Sequence, residues 1–227
     1  MMNKKTTNVL IIDDHPITIE GFERSLDYLA EQSQTLSFKT DRAEDCNTAY
    51  HKIQKYTVTQ NLDLVILDLS LPAAPNFNLQ SGDDLGVMLR KLIPNAKILV
   101  CTSFADSYRL NRTIKAFSPS GFLNKQDFDL LDFVSAVKKV LANERYYSKT
   151  VLNMLTQKSL STIKLDDHDI LILRELANGS NMRDLIGLVH LSKSAIDKRK
   201  RILKQKFNIK SNSDRDLVLA AREKGFI

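Results

Sequence analysis

Three carboxylates and one ammonium each follow a short apolar run within the first 125 residues. They are Asp13, Asp14, Asp68 and Lys125, and the runs before them are Val9–Ile12, Leu64–Leu67 and the pair Phe122-Leu123. Runs of this length that are rich in Val, Ile and Leu predict buried parallel strands. We therefore expect the charges to gather at the carboxyl ends of the strands, which is where open parallel sheets bind ligands.

The acidic residues predict a cation site. If the first and third strands are neighbours, Asp13, Asp14 and Asp68 lie within several ångströms of one another. Carboxylates held that close repel unless one takes a proton or a cation lies among them. An all-oxygen site with few protein ligands and room for water suits Mg²⁺. A metal-bound oxyanion, and hence phosphoryl transfer, is the chemistry that this arrangement indicates.

Two more polar residues fit phosphoryl binding. Thr102 ends the fourth predicted strand with a hydroxyl that can donate to a phosphate oxygen, and Lys125 follows the fifth with an ammonium. Taken alone, each of these residues is an ordinary polar group of a loop. Their order at the ends of four strands makes chance a poor explanation.

The elements that position these residues alternate regularly along the chain. Five strands alternating with five helices predict a parallel, doubly wound, flavodoxin-like sheet of order 2-1-3-4-5 between two helical layers. The predicted strands lie at 9–12, 36–38, 62–67, 96–101 and 121–123, and the helices at 16–29, 43–56, 83–92, 107–117 and 127–142.

The last third of the chain is organised differently. Residues 144–164 form a predicted linker with room for one short helix, and strand signals disappear from Leu165 onward. Gly179 is typical of a left-handed helix stop, and Ser192 is a suitable N-cap. The four predicted helices of this part are 167–177, 182–189, 193–207 and 213–224. We therefore divide the chain into domains at 6–143 and 165–227.

Composition excludes several classes of protein. No apolar run approaches the roughly 20 residues that cross a bilayer, and the start of the chain lacks an apolar signal region, so we expect a cytoplasmic protein. Cys46 and Cys101 are too few for a disulfide framework or a zinc pattern. Residues 1–150 carry 18 basic and 18 acidic side chains, whereas residues 151–227 carry 15 and 9. The basic surplus of the last third favours nucleic acid as its partner.

The surplus is concentrated in residues 192–210, which hold eight Lys or Arg against one acid, Asp197. Ile196, Leu203 and Phe207 recur between the charges and predict a helix with one buried stripe. A solvated charged helix is the plain alternative. The short helix and turn that come before it favour a helix-turn-helix, which places such a helix in the major groove of DNA.

Residues 6 to about 143 resemble the receiver domain of two-component response regulators. Four segments carry the resemblance, and their combination is specific although no single one is. They are Val9-Leu10-Ile11-Ile12-Asp13-Asp14-His15-Pro16, Val65-Ile66-Leu67-Asp68-Leu69-Ser70-Leu71-Pro72, Val100-Cys101-Thr102-Ser103 and Gly121-Phe122-Leu123-Asn124-Lys125.

The resemblance implies a role for each residue of the pocket. Asp68 would accept phosphate from a histidine kinase, and Asp14, Asp68 and the Ser70 carbonyl would bind Mg²⁺, with Asp13 acting through metal-bound water. Thr102 and Lys125 would contact the phosphoryl group. Phe122 would be the switch aromatic, although an aromatic beside a Gly on a strand is usually a packing residue.

Two stretches depart from the receiver pattern. The loop at residues 73–81 is longer than such domains usually have, which either alters kinase access and the lifetime of the phosphoryl group or is a tolerated surface insertion. Gln126 stands where Pro often follows the lysine. His15 more plausibly caps or packs than carries phosphate.

Residues 165–227 resemble the LuxR-type DNA-binding domain. The spacing from Leu165 to Gly179 and the segment Leu191-Ser192-Lys193-Ser194-Ala195-Ile196 carry this likeness, while individual residues match loosely. Asp197 sits where Lys is frequent, so base specificity does not transfer. The candidate residues for phosphate or groove contact are Lys193, Lys198, Arg199, Arg201 and Lys204.

The sequence therefore predicts a phosphorylation-controlled transcriptional regulator that binds double-stranded DNA as a homodimer. A phosphatase of the aspartyl-phosphate type is a rival, but it usually needs an acid where this chain has Ser70. We thus expect no enzyme beyond phosphorylation and dephosphorylation of Asp68 itself. A receiver whose helical tail binds a protein instead of DNA is the second rival.

Overall fold

The structure is a computed structural model that describes residues 4–59, 61–103, 107–127, 129–160, 163–224 and 226–227. The chain divides into two compact units. The first comprises Met1–Phe104 with Thr113–Val151, and the second comprises Ala105–Arg112 with Leu152–Ile227. Among the described helices, none combines the length and apolar character needed to span a membrane.

The first unit is built on a parallel sheet of order β2-β1-β3-β4-β5-β6. Its strands are β1 (Lys5–Ile12), β2 (Leu36–Ala43), β3 (Leu64–Leu67), β4 (Lys97–Thr102), β5 (Gly121–Asn124) and β6 (Tyr146–Tyr147). The predicted α/β class and the order of the first five strands are confirmed. The prediction of five strands is wrong, because β6 adds a sixth beside β5.

Helices cover both faces of this sheet. They are α1 (Pro16–Gln32), α2 (Cys46–Thr59), α3 (Gly82–Leu92) and α5 (Leu130–Leu141). Helix α4 (Ser107–Phe117) is divided between the two units after Arg112. Helices α1 and α5 pack together, as do α2 and α3. Alternate strand residues such as Ile11, Ile66 and Cys101 share one buried cluster with Phe22 and Phe133. Because side chains alternate along a strand, the residues between them are buried on the other face.

The predicted linker contains regular structure. Residues 146 and 147 form β6, and helix α6 (Lys149–Leu160) begins two residues later. Two half-buried tyrosines are too short a run to show strand periodicity, which is why the sequence pattern missed β6. The short helix expected within 144–164 is present as α6.

The second unit contains the four helices that its sequence predicts. They are α7 (Asp167–Ala177), α8 (Met182–Val189), α9 (Lys193–Lys206) and α10 (Asp214–Glu223). Ile172, Leu173, Ile196, Leu203 and Leu217 form its buried centre. Ser192 caps α9 by accepting from the Ala195 amide. Gly179 has a φ of 84°, as its position after a helix end requires.

Candidate functional site

The register of the sheet brings four predicted site residues to one edge. Ile12 pairs with Leu67 and Leu67 with Val100, so Asp13 and Asp68 follow neighbouring strand ends. Thr102 pairs with Asn124, and the Lys125 amide then donates to the Thr102 carbonyl at 2.9 Å. Parallel pairing in this order is thus sufficient to gather the acids, the hydroxyl and the lysine.

One ammonium is shared by two buried carboxylates at this edge. The Lys125 Nζ lies 2.6 Å from Asp13 Oδ2 and 2.7 Å from Asp68 Oδ2. Asp13 and Asp68 are almost fully buried, and the Lys125 side chain is 15% exposed. Solvent screens ion pairs this well shielded from water only weakly.

The two acids that share the ammonium have pKa values shifted in opposite directions. Burial alone would raise the pKa of Asp68, but the Lys125 ammonium, the Thr102 hydroxyl and the Ser70 amide hold this pKa below its ordinary value. Burial dominates at Asp13 and raises its pKa, with the Asp68 charge adding to the effect. Burial would lower the pKa of Lys125, yet its bonds to Asp13 and Asp68 raise it. These shifts favour the charged form of Lys125 and the ionised form of Asp68.

The third acid lies at the rim of the site. Asp14 is partly exposed, and its Oδ1 is 2.7 Å from Nδ1 of the exposed His15. The His15 amide donates to Asp13 Oδ1 at 3.1 Å, which holds the backbone of this acidic corner in place. The possible ligand atoms of Asp13, Asp14 and His15 lie within 4.8 Å of one another. The acidic pocket is therefore formed by the chain itself.

The Thr102 hydroxyl lies beside Asp68 at this edge. It is fully buried, and its interaction with the Asp68 carboxylate helps to hold the pKa of that acid below its ordinary value. A hydroxyl placed in this way can donate to an oxygen of a group bound at Asp68. The donor set of this edge is three carboxylates, one hydroxyl and one ammonium, which fits a hard cation together with a phosphoryl oxyanion.

The backbone beside Asp68 is closely packed. The Ser70 amide donates to Asp68 Oδ1 at 3.1 Å, and the Gly82 amide donates to the Leu69 carbonyl. A Cβ at Gly82 would lie 2.0 Å from the Asp68 carbonyl oxygen, so only glycine fits there. Phe122, the predicted switch aromatic, is fully buried on β5.

The long loop after Asp68 is ordered by contacts with α2. A short 3-10 helix, Pro75–Phe77, lies in it, and Ala74 and Leu79 form a small bridge across it. The Phe77 ring stacks on Tyr50 with 3.9 Å between ring centroids. The loop is thus attached to α2 by its own packing.

The predicted DNA-contact residues of α9 fall into two groups. Arg199 is bound within the unit, since its Nη1 lies 2.7 Å from both Asp166 and Asp169. Lys204 lies 3.0 Å from Asp214 and donates to the Asn212 carbonyl. The remaining three, Lys193, Lys198 and Arg201, are exposed and make no ion pair within the described part of the chain.

Sequence reasoning missed the residues that surround the Lys125 turn. Asp127 accepts hydrogen bonds from Ser148 and Thr150, which lie more than 20 positions later in the predicted linker. A serine before a helical run is a weak N-cap signal that could have drawn attention to Ser148. No local pattern links it to Asp127.

Comparison with known proteins agrees with this geometry. Residues 9–138 match the family model described as "Response regulator receiver domain". The chain is 27% identical to the Fimbriae Z protein of Salmonella typhimurium, over 91% of this chain and 93% of that protein. It is 23% identical to the transcriptional regulatory protein ComA of Bacillus subtilis, over 96% and 99%.

Solved structures share the fold. A LuxR-family two-component response regulator from Aurantimonas is 26% identical, with a TM-score of 0.55 over 69% of this chain and 99% of that one. An RcsB–DNA complex is 21% identical, with a TM-score of 0.62 over 96% and 98%. Because the receiver model spans more than half of the residues, the chain belongs to the response-regulator receiver family.

Proposed function

We propose that the protein is a phosphorylation-dependent regulator that accepts a phosphoryl group on Asp68 from a histidine kinase. The observation that carries the proposal is the Lys125 ammonium between Asp13 and Asp68, beside the buried Thr102 hydroxyl. Asp68 follows β3 and lies between the Lys125 ammonium and the Ser70 amide, which hold its pKa below the ordinary value, so we assign its carboxylate as the nucleophile.

The transfer step balances at named atoms. An Asp68 carboxylate oxygen bonds to the phosphorus of a phosphohistidine while the phosphorus–nitrogen bond breaks, and the imidazole nitrogen keeps the electron pair. The Thr102 hydroxyl and the Lys125 ammonium then bind oxygens of the new acyl phosphate. Both groups are positioned before the reaction, which lowers its reorganisation cost.

The residues present fit Mg²⁺. Asp13, Asp14, Asp68 and the Ser70 carbonyl would hold it, with Asp13 acting through bound water, and oxygen donors of this kind suit the ion. When bound, Mg²⁺ supplies charge neutralisation for the phosphoryl oxygens. Lys125 already offsets part of the negative charge of the two buried acids.

Labelling by acetyl phosphate tests the phosphoacceptor. We expect Asp68→Asn to abolish acid-stable mass addition to the full-length protein, and we expect Asp63→Asn to label like wild type. Asp63 is a matched control because it accepts from the Asn8 amide at the opposite edge of the sheet. Equal labelling of Asp68→Asn would remove Asp68 from this role.

We further propose that the second unit binds promoter DNA as a dimer when Asp68 is phosphorylated. The exposed Lys193, Lys198 and Arg201 of α9 support this, because unpaired cations on one helix attract phosphate. Relatives named as transcription regulators and a neighbour titled as RcsB dimers bound to DNA also support it. Such a protein acts in the cytoplasm with the chromosome.

A salt series separates this function from its rival. In a gel shift, we expect the protein to bind genomic fragments. This binding should weaken steeply as the salt concentration rises from about 50 to 200 mM, and the weakening should be larger without phosphodonor. Failure of the labelled protein to bind any fragment at low salt would favour a helical tail that binds a protein.

We also propose that the protein turns over no external substrate. Phosphatases of the aspartyl-phosphate type usually need an acid two residues after the nucleophile, and Ser70 occupies that position. Steady release of phosphate from a phosphomonoester by purified protein would overturn this.

A further inference from the structure

The Ser148 hydroxyl closes the turn that carries Lys125. It accepts from the amide of Asn124 at 3.2 Å and donates to Asp127 Oδ2 at 2.7 Å. These two partners stand one residue before and two residues after Lys125. A single buried oxygen, on a residue 5% exposed, thus ties the turn on both sides of the lysine.

Other bonds make the same turn rigid. The Asp127 amide donates to the Asn124 carbonyl at 3.0 Å, and the Gln126 amide donates to Asn124 Oδ1 at 3.1 Å. The Ser148 amide donates to the Phe122 carbonyl, which continues the pairing of β6 with β5. Ser148 is therefore placed by the sheet.

Asp127 also connects the turn to the start of α6. The Thr150 amide donates to Asp127 Oδ2 at 2.8 Å, and the Thr150 hydroxyl donates to Oδ1. Hydrogen bonds that a carboxylate accepts from a helix amide and from a hydroxyl are charge-assisted, and they are stronger than bonds between neutral groups. A shift of the turn would thus change the hydrogen bonding of the first turn of α6.

From this geometry we propose that Ser148 and Asp127 are positioning residues for Lys125, and that the phosphoacceptor unit extends through Thr150. The inference rests on the proposed phosphoacceptor function. It extends that function into a segment beyond the family-model match, which ends at residue 138. In this proposal, the hydrogen bonds at the first turn of α6 also change when the Lys125 turn moves.

The alternative is that the cluster only caps α6 and joins it to the sheet. A merely structural cluster would affect stability without acting through Lys125. A positioning cluster would lose its effect on the reaction once the lysine side chain is gone, because coupled residues are not additive.

The first test measures labelling by acetyl phosphate in full-length protein at saturating Mg²⁺. We expect Ser148→Ala and Asp127→Asn to slow labelling about three- to ten-fold, since a small misplacement of a catalytic group is costly. Ser120→Ala is the matched control: its hydroxyl accepts from the Ile98 amide at the other end of β5. It should label at the wild-type rate.

A double-mutant cycle supplies the decisive readout. In a Lys125→Met background that circular dichroism shows to be folded, Ser148→Ala should change the residual labelling less than about two-fold. An equal loss with and without Lys125 would overturn the inference. Wild-type protein that never labels would instead refute the proposed function.

Amide resonances give an independent check. Beryllofluoride, a phosphoryl mimic, should shift the Thr150 amide resonance in wild type and leave it nearly unmoved in Asp127→Asn. A Thr150 resonance that ignores beryllofluoride in wild type would overturn the link to α6.

Discussion

Lys125 and Asp68 form a buried ion pair whose Nζ and Oδ2 atoms are 2.7 Å apart. The same ammonium lies 2.6 Å from Asp13, so a single cation offsets part of the charge of two acids that water hardly reaches. Without the Lys125 ammonium, the ionised form of either buried acid would be strongly destabilised.

Lys125→Met should therefore destabilise the protein at neutral pH by about 3 kcal/mol, because two buried carboxylates lose their cation. Mg²⁺ should recover more stability in this variant than in wild type, since the ion brings positive charge to the same acids. Urea unfolding with and without Mg²⁺ measures both effects. An equal Mg²⁺ response in the two proteins would argue against a metal at these acids.

Arg199 and Arg201 offer a matched comparison on α9. Arg199→Ala should cost about 1–2 kcal/mol of unfolding free energy, because the nearly buried Asp169 loses a partner. Arg201→Ala should change stability by less than about 0.5 kcal/mol and lower the salt slope of DNA binding by about one. Urea unfolding measures the stability of both variants, and gel shifts measure their DNA binding. A stability loss in Arg201→Ala together with a lower salt slope in Arg199→Ala would reverse our assignment.

Asp197 is the exposed acid of α9 and makes no ion pair within the described residues. Asp197→Asn should tighten binding to non-specific DNA about two- to five-fold, because one charge that repels phosphate is removed. Fluorescence anisotropy with a random duplex measures this. Weaker binding to a selected operator only would mean that Asp197 accepts from a cytosine amino group there.

Acid should weaken the second unit through Asp166 and Asp214. Burial alone would raise the pKa of both carboxyls, but Arg199 beside Asp166 and the lysines beside Asp214 hold these pKa values below the ordinary value. Folded carboxyls with lowered pKa bind fewer protons than unfolded ones, so their stabilising effect is present above about pH 4 and fades below it. Stability measured against pH should fall in that window, and less steeply in Asp214→Asn.

Two helix glycines should respond oppositely to alanine. A Cβ at Gly86 would meet the Phe117 ring at 2.4 Å, so Gly86→Ala should destabilise by about 1–3 kcal/mol. Gly21 has open space, so Gly21→Ala should stabilise α1 by about 0.5–1 kcal/mol. Thermal unfolding distinguishes them, and a stabilised Gly86→Ala would show that Phe117 moves aside at little cost.

The main elements could be predicted because strong local patterns encode them. The apolar runs before Asp13 and Asp68 are four residues long, and parallel pairing then leaves one arrangement for the charges at their ends. The stripe of Ile196 and Leu203 fixed the buried face of α9 in the same way.

Contacts between distant residues could not be predicted. Arg199 and Asp166 are 33 positions apart, and Ser148 and Asp127 are 21 apart. Their pairing depends on how helices and strands pack against one another. A short stretch of sequence carries no information about this packing. A basic residue in a charged run looks the same whether it faces solvent or a carboxylate of its own domain.

The loop after Asp68 is fastened at two ends that do not depend on its middle. The Pro72 carbonyl accepts from the Cys46 amide, and the Gly82 amide donates to the Leu69 carbonyl. Residues between these anchors can therefore vary in length and type while Asp68 stays in place. The loop is thus a natural insertion point for a reporter group, which would sit beside Asp68 without rebuilding the sheet that holds this aspartate.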